Sequence, residues 1–133
     1  ELTWCRIFFP YGPNEDSKKL VPSLKRIANN LDEPFLIKAP GSRDFLHVDD
    51  VANAIVTIIL RQANGLINIS SGNAYDIQQL MVDVLKKKRP DINVDAILKH
   101  TSEQTTLDIV GNNQRLLDLG WKQSVELLPY ILS

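Results

Sequence analysis

Apolar positions along this chain follow two rhythms. Residues 2–9 (LTWCRIFF) are rich in aromatic and β-branched side chains, which predicts a strand. Pro10, Gly12 and Pro13 end it, because prolines cannot continue a ladder. Val21, Leu24, Ile27, Ala28 and Leu31 then recur at helical spacing and predict an amphipathic helix over 20–31. Pro22 suits its first turn, where a missing N–H costs nothing. Short apolar runs predict strands at 35–37, 43–48 and 66–69. Val51, Ala54, Ile55, Ile58 and Ile59 predict a helix over 50–62, with Asp49 as its N-cap and Asp50 on the positive end of its dipole. Leu80, Met81, Val84 and Leu85 predict another over 77–88, capped by Asp76 and ended by Pro90. Weak alternation over 93–99 predicts a strand, and 100–107 reads as a polar loop. Short helices are expected at 113–119, stopped by Gly120, and at 125–132, where Pro129 argues for a late start. The order of strands and helices is that of an α/β protein.

One stretch, GSRDFLHVDD over 41–50, poses a problem. Its centre, Phe45 to Val48, wants to be dry, yet Arg43, Asp44, Asp49 and Asp50 bracket it with charge. Buried charges are costly unless partnered. Either Arg43 forms a salt bridge with Asp44, Asp49 or Asp50, or its partner is a ligand. Spacing alone favours the salt bridge.

The totals narrow the field. The sequence has 133 residues, 44% hydrophobic and 23% charged, with a formal net charge of -1. This length can bury the core of one domain. The near-neutral balance gives no reason to expect nucleic acid or an anionic membrane as a partner. The longest apolar run, 52–60, is about half of the roughly 20 residues a membrane span needs. The single cysteine, Cys5, lies in an apolar run, which is the pattern of an inert thiol in a reducing compartment, and a cytoplasmic location is expected.

Several chemistries lack their motifs. There is no G-x-G-x-x-G, no P-loop and no G-x-S-x-G elbow. His47 and His100 with one cysteine make a poor metal set. Tyr11 has Glu15, not Lys, four positions on.

Three blocks carry a resemblance: RIFFPYGP at 6–13, KLVP at 19–22, and RDFLHVDDVA at 43–52 followed by NISSG at 68–72. Together with LGWK at 119–122, and in this order, they resemble the C-terminal half of the extended short-chain dehydrogenase/reductases. This is the NAD-dependent epimerase/dehydratase family acting on nucleotide sugars. The resemblance implies the C-terminal part of a Rossmann-type enzyme with a small mixed α/β substrate domain. It implies one substrate-binding half-domain over 1–133, with the dinucleotide-binding half and the Tyr-x-x-x-Lys pair upstream. The start at Glu1-Leu2-Thr3-Trp4, already inside a strand, agrees with a piece of a longer protein.

By the same resemblance, the full-length parent uses NAD or NADP and is a homodimer, while no cofactor is expected in this piece alone. Arg43 fills the family position that grips a nucleotide diphosphate. Lys19 and Leu20 match the loop that folds over the nucleotide; otherwise they are a solvated lysine beside a helix-start leucine. Phe9 stands where the family often has a substrate-contacting asparagine, so that polar contact is lost. Arg6 matches as well but can equally be a structural pair. Asn73 falls near a position that touches the diphosphate, or is turn chemistry. The loop over 100–108 has no second arginine for the diphosphate. The expectation is a substrate-binding fragment of a nucleotide-sugar epimerase, dehydratase or ketoreductase, inactive alone. The alternative is a non-catalytic binding or assembly module of the same fold, whose apolar edges would need a partner.

Overall fold

The computed structural model describes residues 1–98 and 106–133. The central unit is β–α–β. Strand β1 (Thr3–Ile7) pairs in parallel with β5 (Gly65–Ile69), in register from Thr3 opposite Gly65 to Ile7 opposite Ile69. Parallel neighbours need a long crossover, and helix α2 (Val48–Leu60) lies within it. Only β5 pairs with β1 among the described residues, so one edge of β1 is open.

Two minor pairings hold the rest. β2 (Pro10–Tyr11) runs parallel to β4 (Leu46–His47), with Tyr11 opposite His47. β3 (Ser42–Arg43) runs antiparallel to β6 (Tyr75–Asp76), with Arg43 opposite Tyr75. On its other side Arg43 bridges to Ile109. Helices α1 (Leu20–Ala28), α3 (Ile77–Lys88) and α6 (Leu127–Leu132) pack together, and short helices α4 (Val94–Leu98) and α5 (Gln114–Asp118) complete the chain.

The described residues form two cores. One joins α1, α3 and α6 around Leu24, Ile27, Leu80, Leu85, Leu127 and Ile131. The other joins α2 to β5 through Ala54, Ile58, Ile67 and Ile69, with Leu116 and Trp121. Phe45 belongs to the first and Leu46 to the second. Successive residues of an extended chain face opposite ways, so this segment divides itself between two dry interiors.

The structure corrects several sequence expectations. Residues 35–37 form no strand: Ile37 alone is buried, and Phe35 and Leu36 face solvent. The expected strand over 93–99 is instead α4, because Val94 and Ile97, one helical turn apart, both reach the first core. The strand expected over 43–48 is broken into β3 and β4, and α2 starts at Val48. Its N-cap is His47, whose Nδ1 accepts the Asp49 amide at 3.2 Å, and not Asp49. Asp76 caps α3 as expected, accepting the Gln79 amide at 2.8 Å. The loop expected over 100–107 falls largely outside the described residues. No helix among those described is long and apolar enough to cross a membrane.

Candidate functional site

Arg43, Asp44 and Asp50 of GSRDFLHVDD find separate partners, none of them each other, while the Asp49 carboxylate lies 3.6 Å from His47 Nδ1. Asp44 is fully buried. One of its carboxylate oxygens accepts the Ser71 amide and hydroxyl, each at 2.7 Å, and the other accepts the amides of Gly72 at 2.9 Å and Gly111 at 3.0 Å. This offsets the desolvation of the charge with charge-assisted hydrogen bonds. Asp50, also fully buried, accepts the Ser124 hydroxyl at 2.5 Å and the amides of Ser124 and Val125 at 2.9 Å. Its backbone carbonyl takes the Trp121 indole N–H at 3.1 Å. The LGWK segment is therefore tied to the first turn of α2. Asp49 stays on the surface.

Arg43 makes none of the salt bridges that spacing favoured: no carboxylate among the described residues lies within 4.0 Å of it. Its Nη1 donates to the carbonyls of Ser42 and Leu107. Gly41 makes this possible. It has φ +119°, and any Cβ there would collide with the Leu107 backbone. The backbone of 42–44 is also fixed on both sides, by Tyr75 and by hydrogen bonds with Ile109. The guanidinium thus has a rigid base, a neutral one, and sits half-exposed.

The ring of Phe9 lies 5.8 Å from the Arg43 guanidinium carbon. It is 37% exposed and rests at 5.8 Å on Phe45, which in turn lies 6.4 Å from Tyr75. Asn73 joins this group indirectly, because its amide donates to the Ser71 hydroxyl at 3.0 Å and that hydroxyl donates to Asp44. Burial raises the Tyr75 phenol above its ordinary pKa, and hydrogen bonds with Asn73 and Gln123 oppose this. Asn73 and Tyr75 line a cleft of about 230 Å³ with Gln123 and Glu126.

The other candidates lie elsewhere. Arg6, on β1, donates to Asn68 at 3.4 Å across the strand pair. Lys19 stands at the N-cap position of α1 and is exposed; Leu20 packs on the first core. No described hydrogen bond, ion pair or ring contact joins Lys19 or Leu20 to Arg43. A larger cleft of about 340 Å³, between the turn after β2 and α1, contains none of the candidate residues. Among the described residues no group of histidine, cysteine and carboxylate side chains could hold a metal.

Sequence reasoning singled out Arg43 and Phe9 but missed the role of Asp44 and Asp50 as anchors for distant segments. The available signal was the mismatch between charged residues and a dry strand.

Comparison with known proteins decides the family. The sequence pattern of the NAD dependent epimerase/dehydratase family matches residues 1–77. The chain belongs to this family. CDP-abequose synthase of Salmonella muenchen is 26% identical over 87% of this chain and 41% of its own length. Among solved structures, RMD of Pseudomonas aeruginosa, complexed with NADPH, superposes with a TM-score of 0.72 at 24% identity, covering 96% of this chain and 46% of that one. WbmF of Bordetella bronchiseptica, in complex with NAD+ and UDP, also gives 0.72 at 20% identity, covering 96% and 42%. These superpositions establish the α/β fold of the Rossmann-type epimerase/dehydratase enzymes. The chain spans 38% and 41% of the length of two curated family relatives it matches.

Proposed function

We propose that this chain is the C-terminal, substrate-binding half of an NAD(P)-dependent nucleotide-sugar epimerase, dehydratase or reductase. The observation that carries the reading is Arg43. Its guanidinium is held by two backbone carbonyls and the Phe9 ring, with no carboxylate of the described residues within 4.0 Å, which leaves its remaining N–H donors for a ligand. A guanidinium forks onto two phosphate oxygens, which suits a diphosphate better than a lysine does. In this reading Lys19 and Leu20 cover the nucleotide, Asn73 supports the diphosphate, and Arg6 stays a partner of Asn68. The half-domain holds and orients the substrate and does no chemistry of its own.

The residues present do not fit NAD or NADP. The sequence has no glycine-rich dinucleotide turn, and the glycine after β5, Gly72, has the Asn113 side chain 2.9 Å from where a Cβ would sit. The cofactor therefore falls to a preceding segment, as does the catalytic tyrosine. That segment would pair with the open edge of β1 and cover Leu2, Trp4, Ile55 and Ile59, all of them exposed here. Trp4 and Ile59 are each 66% exposed. The parent enzyme is expected to be a homodimer.

The test uses the full product of the open reading frame. It should bind UDP, CDP or dTDP, and Arg43→Ala should lose roughly tenfold or more in affinity for each of them. A wild-type protein that binds none of them overturns the reading. This chain alone should show no turnover of any nucleotide sugar with NAD or NADP. A native product that begins near Glu1 would favour the binding or assembly module instead.

A further inference from the structure

The guanidinium of Arg43 is tethered to a carbonyl that a regular ladder would use elsewhere. Arg43 and Ile109 form a parallel bridge. The Ile109 amide donates to the Ser42 carbonyl at 2.9 Å, and the Asp44 amide donates to the Ile109 carbonyl at 3.1 Å. Bonds in a parallel ladder are evenly spaced, so the next one back would run from the Ser42 amide to the Leu107 carbonyl. The Ser42 amide donates instead to Oδ1 of Asp108 at 2.7 Å. The Leu107 carbonyl accepts Nη1 of Arg43. A side chain has taken the place of a backbone acceptor, and the displaced acceptor holds the arginine.

We infer that Asp108 is a positioning residue for Arg43: its carboxylate takes the Ser42 amide and so frees the Leu107 carbonyl to hold the guanidinium. This rests on the substrate-binding reading above and deepens it. An untethered, half-exposed arginine samples many rotamers, and ordering it at the moment of binding costs affinity. A guanidinium already held by one N–H keeps its other donors aimed for a phosphate. Asp108 acts through the backbone alone, since it forms no ion pair with Arg43 within 4.0 Å. The positive charge is therefore not spent on the residue that aims it. Without the Asp108 carboxylate, the Ser42 amide turns to the Leu107 carbonyl, and the guanidinium keeps only its bond to the Ser42 carbonyl. Asp108 is exposed, so replacing it opens no cavity.

The experiment is a double-mutant cycle on the full product of the open reading frame. It is read by isothermal titration with whichever of UDP, CDP and dTDP the wild type binds most tightly. Asp108→Ala should weaken binding roughly fivefold, the scale of one net hydrogen bond. In the Arg43→Ala background the same change should matter by less than about 1.5-fold, because no guanidinium is left to aim. Asp108→Asn keeps a side-chain oxygen for the Ser42 amide and should stay within about twofold of wild type. A merely structural role would weaken binding by the same factor in both backgrounds. That result overturns the positioning role and leaves the substrate-binding reading standing. So does an unchanged affinity in Asp108→Ala, or an Asp108→Asn as weak as Asp108→Ala. If the wild type binds none of these nucleotides, or Arg43→Ala binds as tightly as wild type, both fall.

Discussion

The carboxylate of Asp44 accepts the backbone amide of Gly111 at 3.0 Å, across 67 residues of chain. The same carboxylate holds Ser71 and Gly72. Two distant segments, at 71–72 and 111, thus converge on the residue next to Arg43. The arginine stays half-exposed while the aspartate beside it is buried and already saturated.

Replacing Asp44 by Ala would leave the buried Gly111 amide and the part-buried donors of Ser71 and Gly72 without their acceptor. The cost should be about 3 kcal/mol or more, since hydrogen bonds to a charged group are each worth roughly 1.5–3. Urea unfolding of Asp44→Ala should show a lowered midpoint with an unchanged slope. A loss below about 0.5 kcal/mol, the size of an ordinary surface change, would contradict the anchoring role.

Asp50 makes the equivalent tie for the C-terminal segment. In Asp50→Ala the Ser124 and Val125 amides lose their acceptor. Hydrogen exchange at these two amides should accelerate more than at the α3 amides, because a local tie is lost before the fold as a whole. Trp121, only 4% exposed in the wild type, should shift its fluorescence to the red as the segment loosens.

The N-cap of α2 discriminates between two neighbours. His47→Ala removes the Asp49 amide's acceptor and should cost at least about 1 kcal/mol. Asp49→Ala removes only an exposed charge near a helix dipole and should cost about 0.5 kcal/mol. Thermal melts of both variants at neutral pH check the order, and a reversed order would restore the aspartate as cap.

Tyr11 is 1% exposed and its hydroxyl has no hydrogen-bond partner among the described residues. Burial foremost, with help from Tyr75, Asp50 and Tyr130, raises its pKa well above the ordinary 10.0. A raised pKa in the folded state means that the fold holds the phenolic proton more tightly than the unfolded chain does. The stability from this is fully present below pH 10 and is lost as pH rises toward the folded value. Tyr11→Phe should therefore unfold less steeply above pH 10 than the wild type. At neutral pH it should be neutral or stabilising by about 1 kcal/mol, because it removes an unpaired buried hydroxyl. Circular dichroism against pH measures both.

The sequence by itself determined that α1, α2 and α3 are helices, although Ile55 and Ile59, placed on the apolar face of α2, stay exposed. The 3.6-residue rhythm of α1, α2 and α3 and the Asp76 cap are local properties, written within a few turns of chain. Four short blocks in order were also enough to suggest the family. Tertiary structure decided the rest. Residues 35–37 have strand composition but no neighbouring backbone to pair with, and 94–98 turned helical because Val94 and Ile97 had a core to reach. Above all, the partners of Asp44, Asp50 and Arg43 lie 27 to 75 residues away or are backbone groups, which carry no side-chain signature. A local pattern can show that a charge beside a dry strand must be satisfied. Which distant amide satisfies it is settled only when the chain folds back on itself.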